Sequence, residues 1–318
     1  MSSTVATSRA ASYPLVGGDV TDILVLYGGN SNERAVSVQS ALRVIEALSK
    51  TEHRTVALDW SGKAPSEKIL HLACESDAVF LALHGGTGEG GTLQRALEKN
   101  GIFHYTGSDA AGSARALDKS AAKAAVEMAG VPVARGATWE PFDPPPKISM
   151  PAIAKPLLGG SSVGLRHIQN AADLIAARAA EPILLEEYLP GREFTVGVLE
   201  DRALPVVEII PDGGIYDYEH KYTLGATREI CPAPIEAAKA SHLQHLALTA
   251  FRALGLRDFA RIDFKENGDG APCFLEANTL PGLTATSLLP LAARTAGIPF
   301  PTLCERLAAL AAKRKRKP

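Results

Sequence analysis

Twice near its start the chain repeats one local pattern: an apolar strand, a glycine turn and a helix. In "DILVLYGGNSNERAVSVQSALRVIEAL" the strand from Ile23 to Tyr27 meets Gly28–Gly29, and Val38, Leu42, Ile45 and Leu48 then recur at helical spacing. A second apolar strand, "AVFLALHGG", also ends in a glycine pair, and "TLQRALEKNG" follows as a helix closed by Gly101. Such a repeat confines the chain to an α/β unit built on a parallel sheet. Ligands of these sheets lie outside the carboxyl ends of the strands, where Glu33 and His84 fall.

Beyond this unit, "LDKSAAKAAVEMAGVPVA" reads as a helix with Asp118 as its N-cap, Gly130 past its end and Pro132 preventing continuation. "EPFDPPPKISMP" has five prolines in twelve residues and is a loop. "AIAKPLLGGSSVGL" and "ILLEEYLPGREFTVGVL" are strand-like with glycine punctuation, and a helix from 236 to 254 stops at Gly255. "FARIDF" and "CFLEAN", separated by "KENGDGAP", form a β-hairpin around an Asn-Gly turn signal. At 318 residues there is chain enough for two or three domains. A net charge of −2 argues against nucleic acid as the main partner.

The basic run "KRKRK" reads as a solvated helix end, and the first twenty residues as a flexible extension with no apolar signal-peptide core. No run of about 18 apolar residues suggests a membrane span. Cys74, Cys231, Cys273 and Cys304 form no CxxC pair, so reduced thiols in a cytoplasmic protein are expected rather than a disulfide framework.

The hairpin carries the chemistry. Side chains two apart share a strand face. Arg261 and Asp263 therefore lie together, as do Glu276 and Asn278, with Leu275 and Ala277 opposite. Either strand alone is a half-exposed polar face. Paired, and followed by the fixed Pro281–Gly282 turn, they bring an Asp, a Glu, an Asn and an Arg onto one patch. Three oxygen ligands on adjacent strands suit Mg²⁺, which commonly shares its coordination with phosphates.

Lys155 closes an otherwise apolar strand, where an unpaired ammonium would be costly. "GGSSVG", residues 159 to 164, follows as a flexible loop able to turn backbone N–H groups toward phosphate oxygens. There is no GxxxxGK followed by Ser or Thr, so it is not a Walker loop. Gly28–Gly29 does not complete GxGxxG, which counts against a dinucleotide fingerprint.

The order Lys119, Lys155, "GGSSVG", "LLEEYLPGREFTV", "YDYEHKY", "RIDF", "LEANTLPGLT" resembles the ATP-grasp superfamily, and within it the D-alanine–D-alanine ligase family. The resemblance runs from about residue 21 to 311. It implies an ATP-grasp fold of α/β class, with α+β character in its nucleotide domains and a Rossmann-like parallel-sheet domain in front. The boundaries expected are 1–20 for the extension, 21–107 for a substrate-binding domain, 108–187 for a central ATP-grasp domain and 188–318 for a C-terminal catalytic domain.

By the same resemblance Lys119 and Lys155 bind ATP phosphates under the loop that carries Ser161 and Ser162. Glu186, Glu187 and Leu189 read adenine, Glu193 holds the ribose, and Lys221 reaches the γ-phosphate. Asp263, Glu276 and Asn278 bind Mg²⁺, two ions being expected and Mn²⁺ being able to substitute. Glu33 pairs with the ammonium of the first D-alanine near His84, while Ser161 and Tyr222 join Glu33 in a loop-closing hydrogen-bonded set. Arg261 and the Gly282 N–H hold an oxyanion, and Ser287 and Leu288 receive the carboxylate of the second D-alanine.

The family often has Asp where "HGGTGEGG" has Gly90, with Glu89 retained. A homodimer in the cytoplasm, without nucleic-acid or membrane partners, is the expected setting. The rivals are a D-alanine–D-lactate or D-serine ligase, which "YDYEHKY" disfavours, and a silent nucleotide-binding protein of the same fold.

Overall fold

The computed structural model describes residues 22–160, 163–211 and 227–315. The chain begins with β1 (Asp22–Gly28), α1 (Arg34–Leu48), β2 (Arg54–Trp60), α2 (Glu67–Glu75) and β3 (Ala78–Ala82). These strands form a parallel sheet ordered β2-β1-β3. β1 and β3 are covered on both faces, which is why they read as unbroken apolar runs. β2 lies at the sheet's edge with Val56 49% exposed, and its weak apolar pattern hides it from sequence periodicity.

The inward face of α1 differs from the periodic Val38, Leu42, Ile45, Leu48 set. Its buried residues are Ser37, Ser40, Ala41, Val44, Ala47 and Leu48, while Leu42 is exposed. Ser37 explains the rotation. Its Oγ accepts from Gly28 N at 2.7 Å and donates to Ala82 O at 2.5 Å, so the helix ties the ends of β1 and β3 together.

Next come α3 (Gly86–Glu89), α4 (Thr92–Lys99), α5 (Ala110–Leu117) and α6 (Lys119–Met128). Asp118 caps α6 by accepting from Ser120 N and Ala121 N at 3.0 Å. β4 (Gly136–Trp139), β5 (Ala152–Pro156), β6 (Arg166–Ile168), α7 (Ala171–Ala176) and β7 (Ile183–Glu187) follow. Their antiparallel sheet, ordered β4-β7-β5-β6, has its own small core of Trp139, Ala152, Ala154, Ile168, Ile183 and Leu185.

The largest sheet is antiparallel: β8 (Glu193–Leu199), β9 (Arg202–Ala203), β10 (Val207–Pro211), β11 (Thr227–Ile230), β12 (Phe259–Glu266) and β13 (Pro272–Asn278). Its order is β11-β10-β8-β12-β13, with β9 on β8. The helix α8 (Ala237–Ala253) covers one face, where Phe194, Val196, Val198, Ala260, Ile262 and Phe264 pack with Leu243 and Phe251. By strand alternation the other face carries Glu193, Thr195, Arg261, Asp263 and Lys265. The chain closes with α9 (Leu288–Thr295) and α10 (Phe300–Lys315).

β12 and β13 make the expected hairpin, with Asn267 Oδ1 accepting from Asp269 N and Ala271 N across the turn. One side chain departs from simple alternation. Asp263 pairs with Glu276 but Phe264 pairs with Phe274, so Leu275 is an extra, bulged residue. The bulge moves Leu275 off the core face expected for it and into the lining of the cleft, while Phe274 and Ala277 both stay in the core.

Candidate active site

A cleft opens between the four-stranded sheet and the polar face of the large sheet. Ile153, Leu165, Leu189 and Leu275 line its apolar part, and Lys119, Lys155, Glu186, Glu193, Asp263 and Glu276 its polar part. The fold therefore gathers at one place residues drawn from α6, β5, β7, β8, β12 and β13. Lys119 Nζ donates to Gly159 O at 2.5 Å, tying α6 to the start of the glycine-rich loop. Lys265 Nζ donates to Glu193 Oε2 at 3.0 Å. Arg135 N donates to Glu187 Oε1 at 3.1 Å, so the Glu187 side chain secures the end of β7 to the residue that precedes β4.

Glu186 is buried and takes an ammonium on each oxygen: Lys155 on Oε1, and Lys123 on Oε2 at 2.7 Å. Burial works to raise its carboxyl pKa, but the two lysines outweigh it and hold the group below the ordinary range. Lys123 is pulled the other way, since burial lowers it more than Glu186 restores it. Nothing in the sequence marks Lys123, a lysine in the middle of an alanine-rich helix.

At the hairpin, Arg261 Nε and Nη2 donate to the two oxygens of Asp263, each at 2.9 Å. Thr195 Oγ1 donates to Oδ1 at 2.5 Å and Asn278 Nδ2 to Oδ2 at 3.0 Å. The register sets Arg261 opposite Asn278 and Asp263 opposite Glu276, which brings the four expected residues together. Among the described residues no group of three or more His, Cys, Asp or Glu side chains forms a metal cage. Asp263, Glu276 and the Asn278 Oδ1 are the oxygens this patch would offer a hard cation.

The third element joins the parallel-sheet unit to the segment after β13. Glu89 Oε1 accepts from Thr279 N at 2.9 Å and Leu280 N at 3.3 Å, and its Oε2 accepts from Gly85 N at 2.9 Å. His84 Nδ1 lies 2.8 Å from Leu280 O, and its Nε2 lies 2.9 Å from Ser40 Oγ. A carbonyl only accepts, so Nδ1 carries the proton and Nε2 accepts from Ser40. Burial holds the ring below its ordinary pKa, which keeps it neutral.

Ser40 Oγ also accepts from Leu283 N at 3.1 Å, and Arg43 Nη1 donates to Leu283 O at 2.8 Å. Ser40, Arg43, His84 and Glu89 thus grip residues 279–283 from both ends around Gly282. Both ring nitrogens of His84 are committed to this grip. A Cβ at Gly282 would stand 2.6 Å from Ser287 Oγ, so glycine lets this turn approach the start of α9. Ser287 Oγ is itself held by Thr284 N at 3.0 Å and Thr284 Oγ1 at 2.8 Å.

Glu33 sits in the turn before α1, and its Oε2 reaches toward both Gly85 and Gly160: a Cβ at these glycines would be 2.4 and 3.7 Å away. It therefore stands between the parallel-sheet unit and the glycine-rich loop. Gly90 also has a physical account. A Cβ there would come within 2.4 Å of Leu117 Cδ2, so the space of a side chain is filled from α5. Ser161, Ser162, Lys221 and Tyr222 lie outside the described residues.

Known proteins share the sequence and the overall fold of this chain. A family model described as "D-ala D-ala ligase C-terminus" matches residues 145–309. The D-alanine–D-alanine ligase of Lawsonia intracellularis is 40% identical over 309 residues, which span 93% of this chain and 100% of that protein. The crystal structure of D-alanine–D-alanine ligase from Bacillus anthracis complexed with ATP has a TM-score of 0.80 at 28% identity, covering 94% of this chain and 100% of that one. The VanG D-Ala:D-Ser ligase from Enterococcus faecalis gives 0.78 at 28% identity, covering 92% and 100%.

Proposed function

The chain belongs to the D-alanine–D-alanine ligase family, and from that premise we propose how its residues divide the work of joining two D-alanine molecules at the expense of ATP. The carboxylate of the first D-alanine attacks the γ-phosphorus of ATP, giving an acyl phosphate and ADP. The amine of the second then attacks the activated carbonyl, and phosphate leaves the tetrahedral intermediate. A carboxylate and a triphosphate repel each other, so the site needs concentrated positive charge. Lys119, Lys155 and Arg261 stand at or beside the cleft to supply it, with Lys221 assigned to the γ-phosphate.

The purine is assigned to the apolar slot between Ile153 and Leu275, with its edge on Glu186, Glu187 and the 188–189 backbone. The ribose hydroxyls go to Glu193. Asp263, Glu276 and Asn278 would hold Mg²⁺, which when bound neutralises phosphate charge during the transfer. The ammonium of the first D-alanine goes to Glu33. The carboxylate of the second goes to Ser287 and Leu288, at the N-terminus of α9, where the helix dipole favours an anion.

Arg261 and the Gly282 N–H face the oxyanion, and the grip of Ser40, Arg43, His84 and Glu89 fixes that N–H in place. Preorganised donors of this kind cost no reorganisation at the moment of reaction. Glu33, Ser161 and Tyr222 are assigned to the set that closes the glycine-rich loop over the site, which would keep water from the acyl phosphate.

One observation supports this reading most. Lys119, Lys155 and Glu186 line one cleft with the hairpin carboxylates Asp263 and Glu276, so cationic groups for a triphosphate and oxygens for its counter-ion face the same space. The test is phosphate release with ATP, Mg²⁺ and a panel of D-amino acids. D-Alanine-dependent release with formation of the dipeptide is expected. Release that instead needs D-serine or D-lactate as second substrate would assign the chain to the related ligases, as the likeness to a D-Ala:D-Ser ligase allows.

The four free cysteines are consistent with a reducing cytoplasm. A homodimer through the parallel-sheet unit would cover Leu42 and Val56, exposed by 57% and 49%. Light scattering on the full chain reads its mass directly.

A further inference from the structure

Two ammonium groups on one buried carboxylate are more than an ion pair requires. Lys155 lines the cleft and is assigned to phosphates. Lys123 is 7% exposed, is absent from the cleft lining, and reaches Glu186 Oε2 at 2.7 Å from behind. It is anchored a second time by the Phe274 carbonyl at 3.3 Å. Lys123 therefore meets the buried Glu186 and a carbonyl of the hairpin strand, but no surface where a ligand phosphate is expected.

Glu186 presents its remaining lone pairs to the cleft as an acceptor only. Three residues on, the Leu189 N–H has no partner among the described residues. An acceptor next to a donor complements a 6-aminopurine, which offers an N–H at position 6 and a lone pair at N1. A 6-oxopurine offers the reverse pattern and would set its oxygen against the carboxylate. The match depends on Glu186 staying ionised and fixed when Lys155 turns to phosphate, and only Lys123 remains with it then.

We propose that Lys123 is a positioning residue that sets the choice of a 6-aminopurine nucleotide over a 6-oxopurine one by holding Glu186 as a fixed, ionised acceptor. This rests on Glu186 standing at the base edge, as assigned above. The closing experiment separates the two ideas by measuring binding of ADP and IDP by calorimetry on the full chain, with no turnover involved. Wild-type protein is expected to prefer ADP by about 100-fold or more, since a site built to hydrogen-bond one pattern strongly rejects its inverse.

Lys123→Met and Lys123→Gln are expected to cut that preference by about tenfold or more, while Lys123→Arg retains it. Lys123→Gln keeps a hydrogen-bond donor without the charge and remains informative if Lys123→Met fails to fold. Equal losses of ADP and IDP affinity would overturn the proposal, because Lys123 would then serve only packing. An unchanged preference in Lys123→Met and Lys123→Gln alongside a collapsed preference in Glu186→Gln would also overturn it. If Glu186→Gln itself left the preference intact, Glu186 would not be at the base, and the proposal would fall with that reading.

Discussion

Asp263 shows how much one side chain carries in this site. It is 5% exposed, yet it accepts from Arg261, Thr195 and Asn278, so its charge is matched and its position fixed before any substrate arrives. Arg261→Ala is expected to lower kcat by about 10²–10³ if its charge acts mainly in the transition state. Steady-state rates at saturating ATP and D-alanine measure this, with a melting curve to separate catalysis from the loss of Asp263's partner. A kcat within a few fold of wild type would remove Arg261 from that role.

Glu89 gives a second residue-scale prediction. Burial first, and then the charge of Glu33, push its carboxyl pKa up to about 7 from an ordinary 4.5, against three backbone N–H groups that pull it down. A group raised in the folded state stabilises the fold below its unfolded value and loses that contribution as pH rises through the folded one. Glu89→Gln should therefore flatten the fall of melting temperature between pH 4.5 and about 7. A profile parallel to wild type would mean that Glu89 is ionised across the whole window.

At the scale of elements, α1 does more than cover the parallel sheet. Ser37 satisfies a strand N–H and a strand carbonyl at once in a fully buried position, so Ser37→Ala leaves both without a partner. The expected loss is about 1–3 kcal/mol in urea unfolding. A change below about 0.5 kcal/mol would place the variant among ordinary surface substitutions and contradict the buried bonds.

The hairpin shows where strand alternation stops being a sufficient guide. The shared face of Glu276 and Asn278 is legible because a period of two is local, as is the turn at "ENGDG". The bulge at Leu275 is not. It depends on Phe274 pairing with Phe264 in a core that α8 closes from elsewhere in the chain.

At the scale of the whole molecule, the chain's last helix completes its first sheet. α10 packs on α1 and β3, and Leu303, Leu307 and Ala311 are buried in the same core as Leu24, Val79 and Leu81. Arg314 adds hydrogen bonds to the Phe103 carbonyl at 3.0 Å and to both Asp258 oxygens at 2.8 Å. Leu307→Ala is expected to cost about 2–5 kcal/mol. It should also speed hydrogen exchange at Val79–Leu81, far away in sequence but in the same core. Unchanged exchange there would mean that the sheet is stable without its distant cover.

The sequence by itself determined the elements that depend on neighbours in the chain: strand–glycine–helix units, the Asp118 cap, the hairpin and the pairing of its polar residues. The order of its motifs also pointed to the family that the comparisons bear out. Tertiary structure alone decided that His84 spends both ring nitrogens on the chain, that Lys123 stands behind Glu186, and that Arg43 holds a carbonyl 240 residues away. The physical reason is the range of the interaction. Periodicity and capping are read within a few residues, whereas a buried hydrogen bond gains its partner only when packing brings distant segments together.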